Sequence, residues 1–285
     1  MSADSTFGIY QLLFLDDYIV ANFVDRDYFF SVYDRNRNHL LDFGQKGRAN
    51  NEFYDASLTG QSEGMKFVVN DVNGSAIKIV DLEKTLKEGK CVVDRTIPTG
   101  SRVLNAFYMD STDIVYEQEI RGNFRIKLMD WQADTLKKQL DLYEPVEDAF
   151  QEYYSDIKIS PDKKKLVFGM LRMNQINFLS LETFEKKSVS MYRNAVRQNK
   201  LENEAWLYYD QPAVDDQYVY LIYWDQSAKD NYKVSKPMEI HVFDWDGNPI
   251  KKLKVQEYLA KVFIDSAPGY LYGYDTEDNI YRYKL

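Results

Sequence analysis

Two histidines limit the chemistry open to this chain. His39 and His241 are too few for a three-histidine zinc site. A Ser-His-Asp triad would have to use one of them, and no G-x-S-x-G elbow accompanies either. Two acidic runs imitate the start of a calcium loop: Asp34-x-Asn36-x-Asn38 with Asp42 beyond it, and Asp244-x-Asp246-Gly247-Asn248. In the first run His39 stands where the loop needs Gly, and Gln45 where it needs the closing Glu. Asp, Asn and Gly are also the residues of tight β-turns, and both runs join stretches with strand patterning, so both are expected to be turns. No cofactor is expected, calcium being the one ion the residue types leave open. Cys91 is the single cysteine, so no internal disulfide forms. It lies in the apolar stretch CVVDRTIP and is expected to be a buried structural thiol.

Binding chemistry has more candidates than catalysis. Arg26, Arg121, Arg172, Arg193 and Arg197 fall between stretches of strand patterning, together with Arg48 and Arg102. Guanidinium groups gathered at one mouth suit an anionic ligand such as a carboxylated glycan or a peptide carboxylate. Trp224 and Tyr232 lie at or in a long polar stretch, where aromatic rings stack on sugars or anchor peptides.

These residues need a scaffold, and the chain repeats one. Alternating apolar strands end in polar turns and are followed by short second strands: SVYDRNRNHLLDF, IKIVDLEK, IKLMDWQADTLKKQL, INFLSLETFEKKSVS and IHVFDWDGNPIKKLKV. Period-two alternation bounded by Asp, Asn, Gly and Pro is strand patterning. Six sets emerge, within residues 10–45, 52–98, 102–143, 154–191, 205–255 and 260–285. Five have four strands and the last has three. Four-stranded units at this spacing are propeller blades. The expected fold is an all-β, six-bladed β-propeller of antiparallel blades. It forms one domain over residues 1–285, with residues 1–5 a flexible start. The N-terminal segment, around Thr6–Tyr10, is expected to complete the last blade and close the ring. Glu147–Tyr153 and Ala195–Glu204 are each expected to add a turn or two of helix.

In a propeller the innermost strand of each blade starts on the top face and successive strands reverse. Second-to-third connections and inter-blade connections therefore share the top. The long irregular segments, residues 144–153, 192–204 and 225–237, belong there, as do the arginines named above, whereas Arg35 and Arg37 belong to the bottom. Long loops on a rigid scaffold are where binding concentrates.

Composition narrows the partners. The net charge is −9 over 285 residues, the wrong field for nucleic acid, whose binders neutralise phosphates with basic patches. No apolar run reaches the length of a membrane span. The start, MSADSTFG, has neither a charged region nor an apolar stretch of the secretory kind. Either the protein is cytoplasmic or a signal has been removed.

Three phrases carry a family likeness. FGQKGRANNEF (Phe43–Phe53) resembles the inter-blade phrase of NHL-like propellers, and ISPDKKKLVFG (Ile159–Gly169) resembles the TolB-type repeat. IHVFDWDGNPIKKLKV, with the ending YLYGYDTEDNIYRYKL, is similar to the TolB-like six-bladed propellers of Bacteroidota lipoproteins, over nearly the whole chain. Arg48-Ala49-Asn50-Asn51 departs from the family's usual Gly-Pro-Gly, and Lys163 from its usual Gly. The resemblance implies export to the periplasm or cell surface and an N-terminal lipid anchor. It supplies no catalytic residues. The leading expectation is a non-catalytic binding module holding an anionic small molecule, glycan or peptide at its top mouth. Two rivals are a calcium-assisted hydrolase or lactonase using channel carboxylates, and a structural partner in an envelope complex.

Overall fold

The alternating runs form antiparallel strands, and the strands form six sheets. The computed structural model describes residues 9–24, 26–61, 64–100, 102–146, 149–190, 206–230, 237–265, 269–277 and 279–285. The first blade is β1 (Ile9–Leu15), β2 (Tyr18–Phe23), β3 (Tyr28–Asp34) and β4 (His39–Gln45). The second is β5 (Ala56–Gln61), β6 (Lys66–Asp71), β7 (Ala76–Asp81) and β8 (Val93–Pro98). The third is β9 (Asn105–Tyr108), β10 (Asp113–Ile120), β11 (Asn123–Asp130) and β12 (Thr135–Asp141). The fourth is β13 (Ser155–Ile159), β14 (Lys165–Met170), β15 (Ile176–Ser180) and β16 (Lys186–Val189). The fifth runs β17 (Trp206–Tyr209), β19 (Tyr218–Ser227), β20 (Met238–Asp244) and β21 (Pro249–Val255), with the short β18 (Ala213–Val214) also on β19. The sixth is β22 (Leu259–Asp265), β23 (Tyr270–Asp275) and β24 (Ile280–Lys284). These are the blades of a six-bladed β-propeller.

The last blade has three strands among the described residues. Of the segment expected to complete it, Ile9 and Tyr10 open β1, where Ile9 pairs with Phe23 of the first blade. Residues 6–8 lie outside the described residues.

The chain divides at Leu142/Tyr143 into two compact units of three blades each. In the first unit Phe30, Phe43, Phe53 and Phe67 interlock, with ring centroids 5.4 Å apart for Phe30–Phe53 and 5.8 Å for Phe30–Phe67. Phe53 gives the inter-blade phrase its purpose. The Phe53 amide donates to the Gln45 carbonyl and the Gly47 amide to the Phe53 carbonyl, which folds the connection back and seats the ring in the core. In the second unit Tyr220, Ile240, Val242 and Leu259 anchor one apolar cluster, and Tyr209, Val219, Leu221 and Phe243 another.

A helix interrupts the second blade between β7 and β8. α1 (Leu82–Glu88) starts at Asp81, whose carboxylate accepts from the Lys84 amide, and stops at Gly89, whose φ of 66° a side chain would strain. It buries Leu82 and Thr85. α2 (Ala149–Tyr153) is the helical turn expected before the fourth blade. The helix expected over residues 195–204 lies outside the described residues.

One position recurs through the blades. The fifth residue of each second strand is Asn22, Asn70, Glu117, Gly169, Ile222 and Tyr274. Opposite it stand Gln11, Ser57, Asn105, Asp156 and Lys261 on the first strands, and Asp210 just past the end of β17. All six partners are polar, although the strands around them are largely apolar. The Asn22 amide donates to the Phe29 carbonyl at 3.1 Å and across to the Ala56 carbonyl of the second blade at 3.3 Å. The Asn70 amide donates to the Val103 and Leu104 carbonyls, leading into the third blade, at 2.9 and 3.0 Å. At Gly169 the next blade comes closer still. A Cβ there would lie 3.3 Å from the Asp210 carbonyl and 2.8 Å from Leu221 Cδ2.

Candidate functional site

The two ends of a blade differ. The bottom, where first strands turn into second and third into fourth, is closed by its own side chains. Asp34 Oδ1 accepts from the Asn38 backbone amide and Oδ2 from the Asn38 side chain, both at 2.8 Å. Asp244 holds Asn248 in the same two ways, at 2.8 Å each. Asp130 accepts from the Gln132 and Ala133 amides, and Asp215 from those of Gln217 and Tyr218. The side-chain amide of Asn38 holds the Asp34 carboxyl below the usual carboxylate range, and backbone amides do the same for Asp130. The two calcium-like runs are thus turns whose carboxylates are occupied. Among the described residues no three His, Cys, Asp or Glu side chains converge as a metal would need.

The top of the second blade is open. The inter-blade connection supplies Gly47, Arg48 and Tyr54, and the β6–β7 connection supplies Asn73 and Gly74, to a cleft of about 680 Å³ floored by Asp71 and Lys78. The floor is a buried ion pair, Lys78 Nζ to Asp71 Oδ2 at 3.0 Å. Lys78 also donates to the Glu52 carbonyl and lies 4.8 Å from the Phe53 ring centroid. Asp71 Oδ1 accepts from the Tyr54 and Asp55 amides at 3.0 and 2.9 Å. The pair thus pins the connection that shapes the cleft. On the rim, Arg48 is exposed and lies 5.3 Å from the centroid of the half-exposed Tyr54 ring.

The second unit carries a different cluster, on and just after its first strands. Asp156 on β13 is hydrogen-bonded to Asp210, which follows β17, and Lys158 and Lys261 lie close enough for their charges to act on it. Burial, then the Asp210 charge, pushes the Asp156 carboxyl up to about 7. Burial pulls Lys261 down to about 8 and lowers Lys158 as well. The protonated Asp156 carboxyl can donate to Asp210, while the Lys261 and Lys158 charges pull Asp156 the other way.

The residues singled out in the sequence have varied fates. Arg26 lies between β2 and β3, its guanidinium 3.8 Å from the Phe23 ring centroid. Arg121 is exposed in the two-residue β10–β11 turn, where Arg121 and Gly122 have φ of 52° and 78°, the mirror-image geometry of tight hairpins. Arg172 is half-buried between β14 and β15, and burial disfavours its charge. All three occupy second-to-third connections. Trp224 is not in a loop. β19 runs on to Ser227, and the indole is 5% exposed, 5.3 Å from the Tyr258 ring in the apolar core. That burial removes Trp224 from the residues a top-face ligand can touch. Arg193, Arg197 and Tyr232 lie outside the described residues. His241 is buried, stacked on Tyr223 at 4.3 Å, and burial lowers its basicity. Burial pushes the Cys91 thiol up to about 12, leaving it unreactive. Of the cleft only Arg48 was singled out by the sequence, and of the Asp156 cluster nothing, because each is assembled from separate strands and connections.

A profile of the TolB-like 6-blade propeller-like family matches residues 9–267. The chain belongs to this TolB-like family. No curated protein matches this TolB-like chain in sequence. Among solved structures it is similar to a member of the DUF4221 family from Bacteroides vulgatus, with 14% identity, a TM-score of 0.64, and coverage of 98% of this chain and 94% of that one. A candidate exported protein from Bacteroides fragilis is similar at 9% identity and a TM-score of 0.60, covering 93% of this chain and 78% of that one. Hydrazine synthase from Kuenenia stuttgartiensis is similar at 10% identity and a TM-score of 0.56, covering 98% and 96%. At such identities the likeness is one of fold.

Proposed function

We propose that this TolB-like propeller is a non-catalytic binding module, acting outside the cytoplasm as a periplasmic or lipid-anchored surface protein. Its ligand is anionic, a small molecule, glycan or peptide, and is held at the top of the blades. The observation that carries the reading is the contrast between blade ends. Carboxylates at the bottom are spent on closing turns, whereas the top presents the cleft of the second blade and the arginines Arg26, Arg121 and Arg172. The fold likeness to a candidate exported protein supports the location.

The test is a thermal-melt panel on the purified chain with calcium, chelator, acidic and neutral glycans, and short peptides. A ligand at 100 times its Kd stabilises by about 2.7 kcal/mol. In a domain of this size that is a shift of roughly 5 °C. A shift with acidic ligands supports the reading, and steady turnover of any sugar, lactone or ester overturns it. A flat panel transfers the weight to an envelope protein as partner.

The hydrolase reading keeps one specific observation, the hydrogen-bonded Asp156–Asp210 carboxyl pair. Its mark is turnover that Asp156→Asn and Asp210→Asn each abolish.

A further inference from the structure

We infer that the cleft at the top of the second blade is a site for a hexuronic acid, a sugar ring bearing a carboxylate. The inference rests on the binding-module reading and names the ligand class of one site within it. Among the described residues no aliphatic side chain lines the cleft. A lipid chain or an apolar peptide side chain would find no matching wall there, whereas a hydroxylated ring finds polar partners.

The charges point the same way. Asp71 and Lys78 neutralise each other in the floor at 3.0 Å. Arg48 makes no ion pair with any described residue, and the Glu52 carboxylate beside Gly47 accepts from the Ala49 amide at 2.9 Å, which leaves the guanidinium available on the rim. An exposed guanidinium offers a carboxylate two parallel hydrogen bonds. Next to it the Tyr54 ring, 51% exposed, supplies an apolar face of the kind sugar rings lie against. Asn73 also lines the cleft, its amide donating to Asp55 Oδ2 at 2.8 Å, which leaves its carbonyl oxygen as an acceptor for a hydroxyl. Gly74 completes the site, because a Cβ there would run into the Asp71 carboxylate and fill the floor.

The probe is trigalacturonate, compared by calorimetry with its fully methyl-esterified form, which has the same rings without the charge. Trigalacturonate is expected to bind with an affinity that falls as salt rises, and the ester at least tenfold more weakly. Arg48→Gln and Tyr54→Ala change exposed side chains. Each is expected to melt at the parental temperature yet lose at least tenfold in affinity, while Lys90→Gln, an exposed change outside the cleft, binds like the parent. No binding of trigalacturonate at millimolar concentration overturns the inference, as does binding that Arg48→Gln leaves unchanged. Binding of another acidic ligand through other residues would leave the binding-module reading standing without this site. Turnover of trigalacturonate that depends on Arg48 would do the reverse, keeping the site and removing the non-catalytic reading.

Discussion

Asn22 and Asn70 occupy the same place in consecutive blades, the fifth residue of the second strand, and each sends its side-chain amide to backbone carbonyls at the start of the next blade. Both are fully buried. Pleated strands satisfy their own backbone groups, but the segment entering a new blade has carbonyls with no ladder partner. A short side chain with two donors is what such a place needs. Where the position becomes Gly169, the next blade's backbone fills the space instead.

Replacing Asn70 separates shape from hydrogen bonding. Asn70→Ala is expected to lose about 1–3 kcal/mol, since the Val103 and Leu104 carbonyls are left buried without a donor. Asn70→Asp is nearly isosteric yet is expected to lose more at neutral pH, because a carboxylate would face two carbonyl oxygens. Acid should narrow the gap by protonating it. Urea unfolding of the three chains at pH 5 and pH 8 decides, and an Asp variant as stable as the Ala variant at pH 8 contradicts the assignment.

The buried pair below the cleft should behave differently from surface pairs. Lys78→Met strands Asp71 with only the Tyr54 and Asp55 amides, and Asp71→Asn strands Lys78 against a carbonyl and a ring. Each single change is expected to cost about 3–5 kcal/mol, the double change less than the sum. Exposed pairs such as Lys90–Glu88 should give less than about 1 kcal/mol in the same unfolding assay.

The strands were legible because the local signal is strong: MKFVVND became β6 and SAIKIVDLE became β7 almost residue for residue. α1 was missed although its caps are local too. Asp81 and Gly89 bracket LEKTLKE, but the repeat invited a hairpin there. Trp224 was misplaced for the opposite reason. In VYLIYW both faces of the strand are apolar, so alternation gives no warning that β19 continues to Ser227. The Asp156 cluster was beyond reach. Its members come from three blades, and among 45 acidic residues nothing in the order of the chain singles out the pair that meets.

Turns that use up their carboxylates should ignore calcium. Asp34 and Asp244 each accept two hydrogen bonds from the Asn four residues on, leaving no open oxygen cage. Calcium or chelator is therefore expected to leave the melting temperature unchanged. Asp244→Ala is expected to lower it by the same amount with and without calcium. A calcium-dependent rise that Asp244→Ala abolishes would return these runs to the list of metal sites.

Asp156 gives a pH dependence of defined sign. Its carboxyl titrates near 3.8 when unfolded and near 7 when folded, raised by burial and then by Asp210. Between those values the folded chain holds a proton that the unfolded chain has lost, so this group's contribution to stability falls as pH rises from about 4 to 7 and is level above. Lys261, lowered by burial to about 8, acts in the opposite sense on the alkaline side, where stability recovers as pH rises from 8 toward its unfolded value of 10.5. The cluster is thus least favourable between pH 7 and 8. Other groups tilt the raw curve: burial lowers His241, and hydrogen bonds lower the turn aspartates. The measurement is therefore a difference. Urea unfolding of the parent and of Asp156→Asn should show the variant gaining on the parent at each step from pH 5 to 7, since the amide has no proton to lose. A difference that stays flat across that range would mean that folding does not raise the Asp156 carboxyl.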